Sequence, residues 1–157
     1  MDKFVGIGEY VISNDKKDMI KTFALGSCVA VTVYAPSRFV AGMVHIALPS
    51  PISLSKENNE RPCYYAIMGV PLLINEMCYK FGCYKSELEV QLFGGSDSIR
   101  KNDVFNIGRR NIEAVREVLE GLGLNYKYTQ VGGFQSRTIY MEVGTGNIKT
   151  MTQPLII

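Results

Sequence analysis

Histidine is scarce in this chain: 157 residues contain one, His45. Metal chemistry is short of ligands, because Cys78 and Cys83 flank an expected helix end without two further ligands nearby. Net charge is also nearly absent, at 17 basic against 15 acidic residues and a formal +2, so the strong positive bias of a nucleic-acid or phosphate binder is missing. Disorder is excluded from the other side, by 46% hydrophobic and only 20% charged residues. No apolar run approaches a membrane span. The start, Met1-Asp-Lys-Phe-Val-Gly-Ile-Gly-Glu-Tyr10, puts acids where a signal peptide needs a basic and then an apolar segment. A cytoplasmic protein without membrane insertion is expected. Its four cysteines (28, 63, 78 and 83) then read as reduced thiols, with Cys63 an exposed one beside a polar loop. The glycine pairs at 94 and 132 lack the following lysine and serine or threonine of a phosphate loop, and no cofactor is implied. With no repeat, linker or charge block, residues 1–157 read as one domain, large enough to bury its own core.

Strand patterns cover Glu9 to Ser13, Met19 to Ala24, Val29 to Tyr34 and Phe39 to Leu48, and the last two form a hairpin around Ala35-Pro36-Ser37-Arg38. Pro49 to Pro62 reads as an exposed loop, long enough for a lid or flap. Leu72, Ile74, Met77 and Cys78 predict a helix over Pro71 to Phe81, with Pro71 in its first turn or a start as early as Tyr64. A strand over Leu88 to Phe93 is followed by a helix from Asn106 to Glu120, ended by Gly121 and Gly123. Strands at Tyr126 to Val131, Thr138 to Val143 and Ile148 to Thr152 complete the chain, with Gly144 to Asn147 a hairpin turn. The expected fold is α+β, a layered α/β sandwich of mainly antiparallel sheet with two principal helices on one side.

Chemistry concentrates in Thr22-Phe-Ala-Leu-Gly-Ser-Cys28 and His45-Ile-Ala-Leu-Pro49. If Ala35 to Arg38 is a four-residue loop, Cys28 falls directly opposite His45, with Cβ atoms roughly 4.5–5.5 Å apart. In that register Val29, Val31 and Val33 share one face with Val40, Val44 and Ile46, while Ala30, Thr32, Ala41 and Met43 share the other with Cys28 and His45. A thiol with pKa near ~8.5 is only slightly ionised at neutral pH, so a neighbouring imidazole that takes its proton makes it a nucleophile. Backbone amides at Gly26, Ser27 and Cys28 are oxyanion-hole candidates, and the Thr22 hydroxyl could orient His45 or the substrate. Ser27 is the weaker nucleophile candidate, since the bend needs a small residue there. Buried cysteine and strand-borne histidine also occur as plain core residues.

Leu25-Gly-Ser-Cys-Val29, His45-Ile-Ala-Leu-Pro49, Phe93-Gly-Gly95, Ile107-Gly-Arg-Arg-Asn111 and Val131-Gly-Gly133, in this order, resemble the CheD family of chemoreceptor glutamine deamidases. The resemblance implies a sandwich fold related to deamidating bacterial toxins. It also implies hydrolysis of receptor glutamine side chains to glutamate and ammonia through a thioester on Cys28, with His45 as acid and base and Thr22 as third active-site residue. It further implies two partners: the cytoplasmic helical region of methyl-accepting receptors as substrate, and the phosphatase CheC. A departure stands at Ser136-Arg137, where the family usually has glycine before the arginine. The rival expectation is a non-catalytic adaptor that binds receptor or CheC. A redox or metal protein would need a second thiol near Cys28, and none is local. Arg109, Arg110 and Arg116 read as a solvated basic edge or a receptor contact, and Phe93, Phe105 and Phe134 as packing or docking residues.

Overall fold

Strand-forming stretches with apolar residues on both faces need a cover on each side, and that requirement sets the layering here. The computed structural model describes residues 1–51, 61–99 and 104–155. Most of the 49–62 loop and the last two residues of the tail from Pro154 lie outside the described residues. In chain order the elements are β1 (Asp2–Phe4), β2 (Tyr10–Ser13), β3 (Met19–Leu25), β4 (Val29–Ala35), β5 (Val40–Ile46), α1 (Ala66–Phe81), β6 (Glu89–Gly94), α2 (Ile107–Gly121), β7 (Lys127–Val131), β8 (Gln135–Glu142) and β9 (Ile148–Pro154).

A five-stranded sheet, β2-β5-β4-β6-β7, forms the middle layer, and a four-stranded sheet, β1-β3-β8-β9, covers one of its faces. Helices α1 and α2 cover the other. Within these two sheets only β1 with β3 and β6 with β7 pair in parallel, and Leu48 and Tyr65 form an isolated parallel bridge outside them. The expected class, mainly antiparallel sheet with two helices on one side, is what the structure has. Every residue of β4 and β5 is buried. Val29, Val31, Val33, Val44 and Ile46 pack with Leu73, Ile74 and Met77 of α1. Ala30, Tyr34, Ala41 and Met43 face the second sheet with Ile20, Leu25 and Phe93. The two-face division read from alternation therefore holds.

Its register is corrected by two residues. Ala35 pairs with Val40 and Ala30 with His45, so the loop runs from Pro36 to Phe39. Phe39 takes a left-handed φ of 53° and closes the turn in the place expected for a strand residue. A two-residue slip preserves faces, so Cys28 stays on the side of His45 but lies diagonal to it, just before β4 begins.

Helix α1 begins at Ala66, which puts Pro71 inside the helix rather than in its first turn. The buried stripe Ala66, Gly69, Val70, Leu73, Ile74 and Met77 runs through the proline, and this burial outweighs the lost hydrogen bond to Ile67. Cys63 is corrected too. A 3₁₀ turn over Pro62–Tyr64 tucks it into the helical core, where it is buried. Gly69 makes the room, since a Cβ there would stand 2.8 Å from the Cys63 Cα.

Candidate active site

Thr22 and His45 come from different sheets and meet in the layer between them. On β3, Ile20 and Thr22 point inward by simple alternation. A bulge then shifts the pairing from Thr22 with Ile139 to Leu25 with Arg137, and Ala24 takes φ 54°. The extra residue turns Leu25 inward as well and delivers the chain to the turn at Gly26, Ser27 and Cys28. On β5, the His45 backbone is held by Glu9 and Gly8, leaving its ring in the inter-sheet layer.

Thr22 Oγ1 lies 2.7 Å from His45 Nδ1 and 2.7 Å from the carbonyl oxygen of Val5. A carbonyl can only accept, so the single hydroxyl proton goes to Val5 and Thr22 must accept from Nδ1. The imidazole proton is thereby fixed on Nδ1. The lone pair sits on Nε2, which is buried and has no hydrogen-bond partner among the described residues. Burial holds the His45 pKa down at about 4, so the ring is a neutral base at neutral pH. Burial also pushes the half-buried Cys28 thiol above its ordinary value. Thiol and imidazole are thus both uncharged at rest, and Sγ makes no hydrogen bond to Nε2 in this arrangement.

All three carbonyls of the cysteine turn are occupied. Gly26 accepts from the Ser96 amide at 2.8 Å, Ser27 from Asn111 Nδ2 at 2.9 Å and Cys28 from the Gly95 amide at 2.8 Å. Among the described residues, the amides of Gly26, Ser27 and Cys28 donate no hydrogen bond. A cleft of about 290 Å³ opens beside this turn, lined by Gly26, Ser27, Ser96, Asp97, Gly108 and Leu155 among others.

The glycine pair at 94, which reads in the sequence as close backbone packing near the site, does pack there, and Gly108, Ser96 and Arg137 join it without having been assigned that role. Gly94, at φ 98°, lies so close that any Cβ would run into the Cys28 carbonyl. Gly108 lets the start of α2 press on the same strand end, where a Cβ would stand 2.7 Å from the Gly95 oxygen. Arg137 is buried and donates to the Gly132 carbonyl at 2.7 Å and to Ser96 Oγ at 3.1 Å, while Ser96 Oγ itself donates to Gln135. The Phe-Gly-Gly and Gly-Arg-Arg-Asn patterns were the visible signal, but only the fold shows that both press on one turn. Ser136 sits within β8, opposite Gln153, so the departure from glycine there falls in a strand.

Phe93 is fully buried between the sheets, which removes it from any docking surface, whereas Phe105 and Phe134 are exposed. Arg109 pairs with Asp97 at 3.7 Å and Arg116 with Glu120 at 3.1 Å. Cys78 and Cys83 are free thiols, and no group of three metal-ligating side chains occurs among the described residues. Among those residues, no helix is long and apolar enough to cross a membrane.

Residues 47–152 match the family described as CheD, chemotactic sensory transduction. The chain is also 46% identical over 147 residues to the "Probable chemoreceptor glutamine deamidase CheD" of Syntrophotalea carbinolica, covering 92% of this chain and 90% of that one. The chain belongs to the CheD family. A CheD relative from Pyrococcus abyssi with the same description is 35% identical over 147 residues, covering 92% and 88% of the two chains. With 92% of this chain aligned, the CheD likeness reaches upstream of residue 47 into the region of the cysteine turn. Among solved structures, the hypothetical protein YfiH of Bacillus licheniformis superposes with TM-score 0.50 at 10% identity, over 78% of this chain. This CheD-family chain spans about half (51%) of that protein's length, and the likeness is one of fold.

Proposed function

We infer that this chain is a chemoreceptor glutamine deamidase in which Cys28 is the nucleophile, His45 the acid and base, and Thr22 the residue that orients His45. The observation that carries the reading is the fixed tautomer: Thr22 holds the proton on Nδ1 and leaves the buried Nε2 lone pair open. With both groups neutral, the thiol proton passes to Nε2 as sulfur attacks the carboxamide carbon. This needs a rotation of the half-buried Cys28 side chain toward Nε2, a tightening common when substrate binds.

Attack forms the S–C bond and a tetrahedral oxyanion, for which the unpaired amides of the cysteine turn are suitable donors. Collapse breaks the C–N bond, and the proton on Nε2 leaves with ammonia. Water then loses a proton to Nε2, attacks the thioester and releases glutamate, and the sulfur regains its proton. The sum is one carboxamide and one water converted to one carboxylate and one ammonium.

The substrate in this reading is the cytoplasmic helical region of a methyl-accepting receptor, which places the protein in the cytoplasm, with CheC as a further partner. In this reading residues 1–157 act as one catalytic unit, which the contribution of both sheets to the site supports. Mass spectrometry of a receptor cytoplasmic fragment incubated with the wild type and with Cys28→Ala tests it. Glutamine-to-glutamate conversion by the wild type alone is expected. Equal conversion by both would remove Cys28 from the mechanism, and binding without conversion by either would support the adaptor.

A further inference from the structure

We propose that Asn111 is a positioning residue that sets the Ser27–Cys28 peptide so that the Cys28 amide is the principal oxyanion donor; this rests on the deamidase reading above. Asn111 is fully buried on α2, and its Nδ2 donates to two carbonyls, Ser27 at 2.9 Å and Ala47 at 3.0 Å. Two acceptors facing one amide end fix that end as the nitrogen, and both of its protons are used. One side chain thus ties the cysteine turn to the segment two residues beyond His45.

The direction follows from peptide geometry. In a trans peptide the C=O and the following N–H point in opposite directions. A Ser27 carbonyl aimed at α2, in the helical layer, aims the Cys28 N–H away from that layer. His45 lies on the face away from the helices, with the second sheet. The Cys28 amide is therefore aimed toward the face where Nε2 waits, and it is unpaired among the described residues. The Gly95 and Ser96 amides hold the neighbouring carbonyls in the same way. Asn111 differs in being a side chain, so its hydrogen bond to the turn can be removed by substitution.

The test compares the wild type, Cys28→Ala, Asn111→Ala and Asn111→Asp by steady-state conversion of the receptor fragment and by site-resolved alkylation of Cys28 with iodoacetamide. Alkylation displaces iodide and develops no oxyanion, so it reports the thiol alone. The expected result for both Asn111 variants is a kcat lower by about 10²-fold, the usual scale for losing one oxyanion donor, with KM within about twofold and alkylation within about threefold of wild type. A kcat within about threefold of wild type overturns the proposal. So does a parallel fall in kcat and alkylation, which would mean that Asn111 only supports the thiol. Undiminished conversion by Cys28→Ala instead overturns the deamidase reading, which separates the two failures.

Should both Asn111 variants fail to fold, the wild type decides. An aldehyde analogue of the glutamine side chain adds the Cys28 sulfur to its carbonyl carbon and leaves the oxygen in the hole. A downfield shift centred on the Cys28 amide proton in ¹⁵N-labelled protein supports the proposal. A shift centred on any other amide overturns it.

Discussion

Thr22 and His45 stand 23 positions apart in the chain and in different sheets, yet Oγ1 and Nδ1 are 2.7 Å apart in a buried contact. Because Thr22 spends its only proton on Val5, the contact dictates a tautomer as well as a position. Among the described residues it is the one hydrogen bond between the four-stranded sheet and the imidazole, so disturbing it disturbs chemistry before fold.

Replacing Thr22 with valine keeps the shape and removes the acceptor. Conversion of receptor glutamine should fall by about tenfold or more, the kinetic equivalent of one net hydrogen bond of ~1.4 kcal/mol. Thr22→Ser should restore most of the rate. Nitrogen NMR of the ring should show Nδ1–H alone in the wild type and a mixture in Thr22→Val; an unchanged tautomer would refute the role.

Burial raises the Cys28 thiol and lowers His45, so no thiolate–imidazolium pair is formed in advance. Alkylation of Cys28 should rise with pH through a midpoint above the ordinary thiol value of about 8.5, with no reactive plateau in acid. A fast rate persisting to pH 5 would contradict this.

The same burial makes His45 a source of acid sensitivity. Its folded pKa of about 4 lies below the ordinary 6.5, so between those values the unfolded chain binds the extra proton. Stability from this group is present above 6.5 and lost as pH falls through that window, by roughly 3 kcal/mol in all. Urea unfolding at pH 7, 5.5 and 4.5 should show a steeper loss for the wild type than for His45→Gln. Parallel curves would mean that the ring protonates without cost.

Two glycines test the turn. Gly94→Ala should destabilise by well over ~1 kcal/mol and abolish conversion, because φ 98° and the adjacent Cys28 carbonyl both resist a side chain. Gly121→Ala, near the end of α2 with nothing within 4 Å of the added carbon, should be neutral or slightly stabilising. Thermal unfolding distinguishes them, and equal melting points would rule out the packing account of Gly94.

Much of this architecture was legible because local rules act over short distances. Valines alternating with small residues in β4 and β5 specified two buried faces, and Gly144 to Asn147 turned β8 into β9 as its composition demanded. Two features escaped and a third stood open between two readings, each for a particular reason. The hairpin register slipped by two because Phe39, a good strand former, was drawn into the turn. Helix α1 begins at Ala66, near the earlier of its two expected starts, because its buried stripe runs through Pro71. Cys63 entered the core because a short 3₁₀ turn, invisible to periodicity, folded it there.

By itself the sequence determined the layers, the face shared by Cys28 and His45, and the presence of one possible imidazole base, since side-chain alternation and residue counts do not depend on distant contacts. Only the tertiary structure decided which nitrogen of His45 is free and which way the cysteine turn faces. Both depend on single hydrogen bonds to remote residues, Thr22 and Asn111, and the protonation of a ring or the tilt of a peptide leaves no trace in a linear pattern.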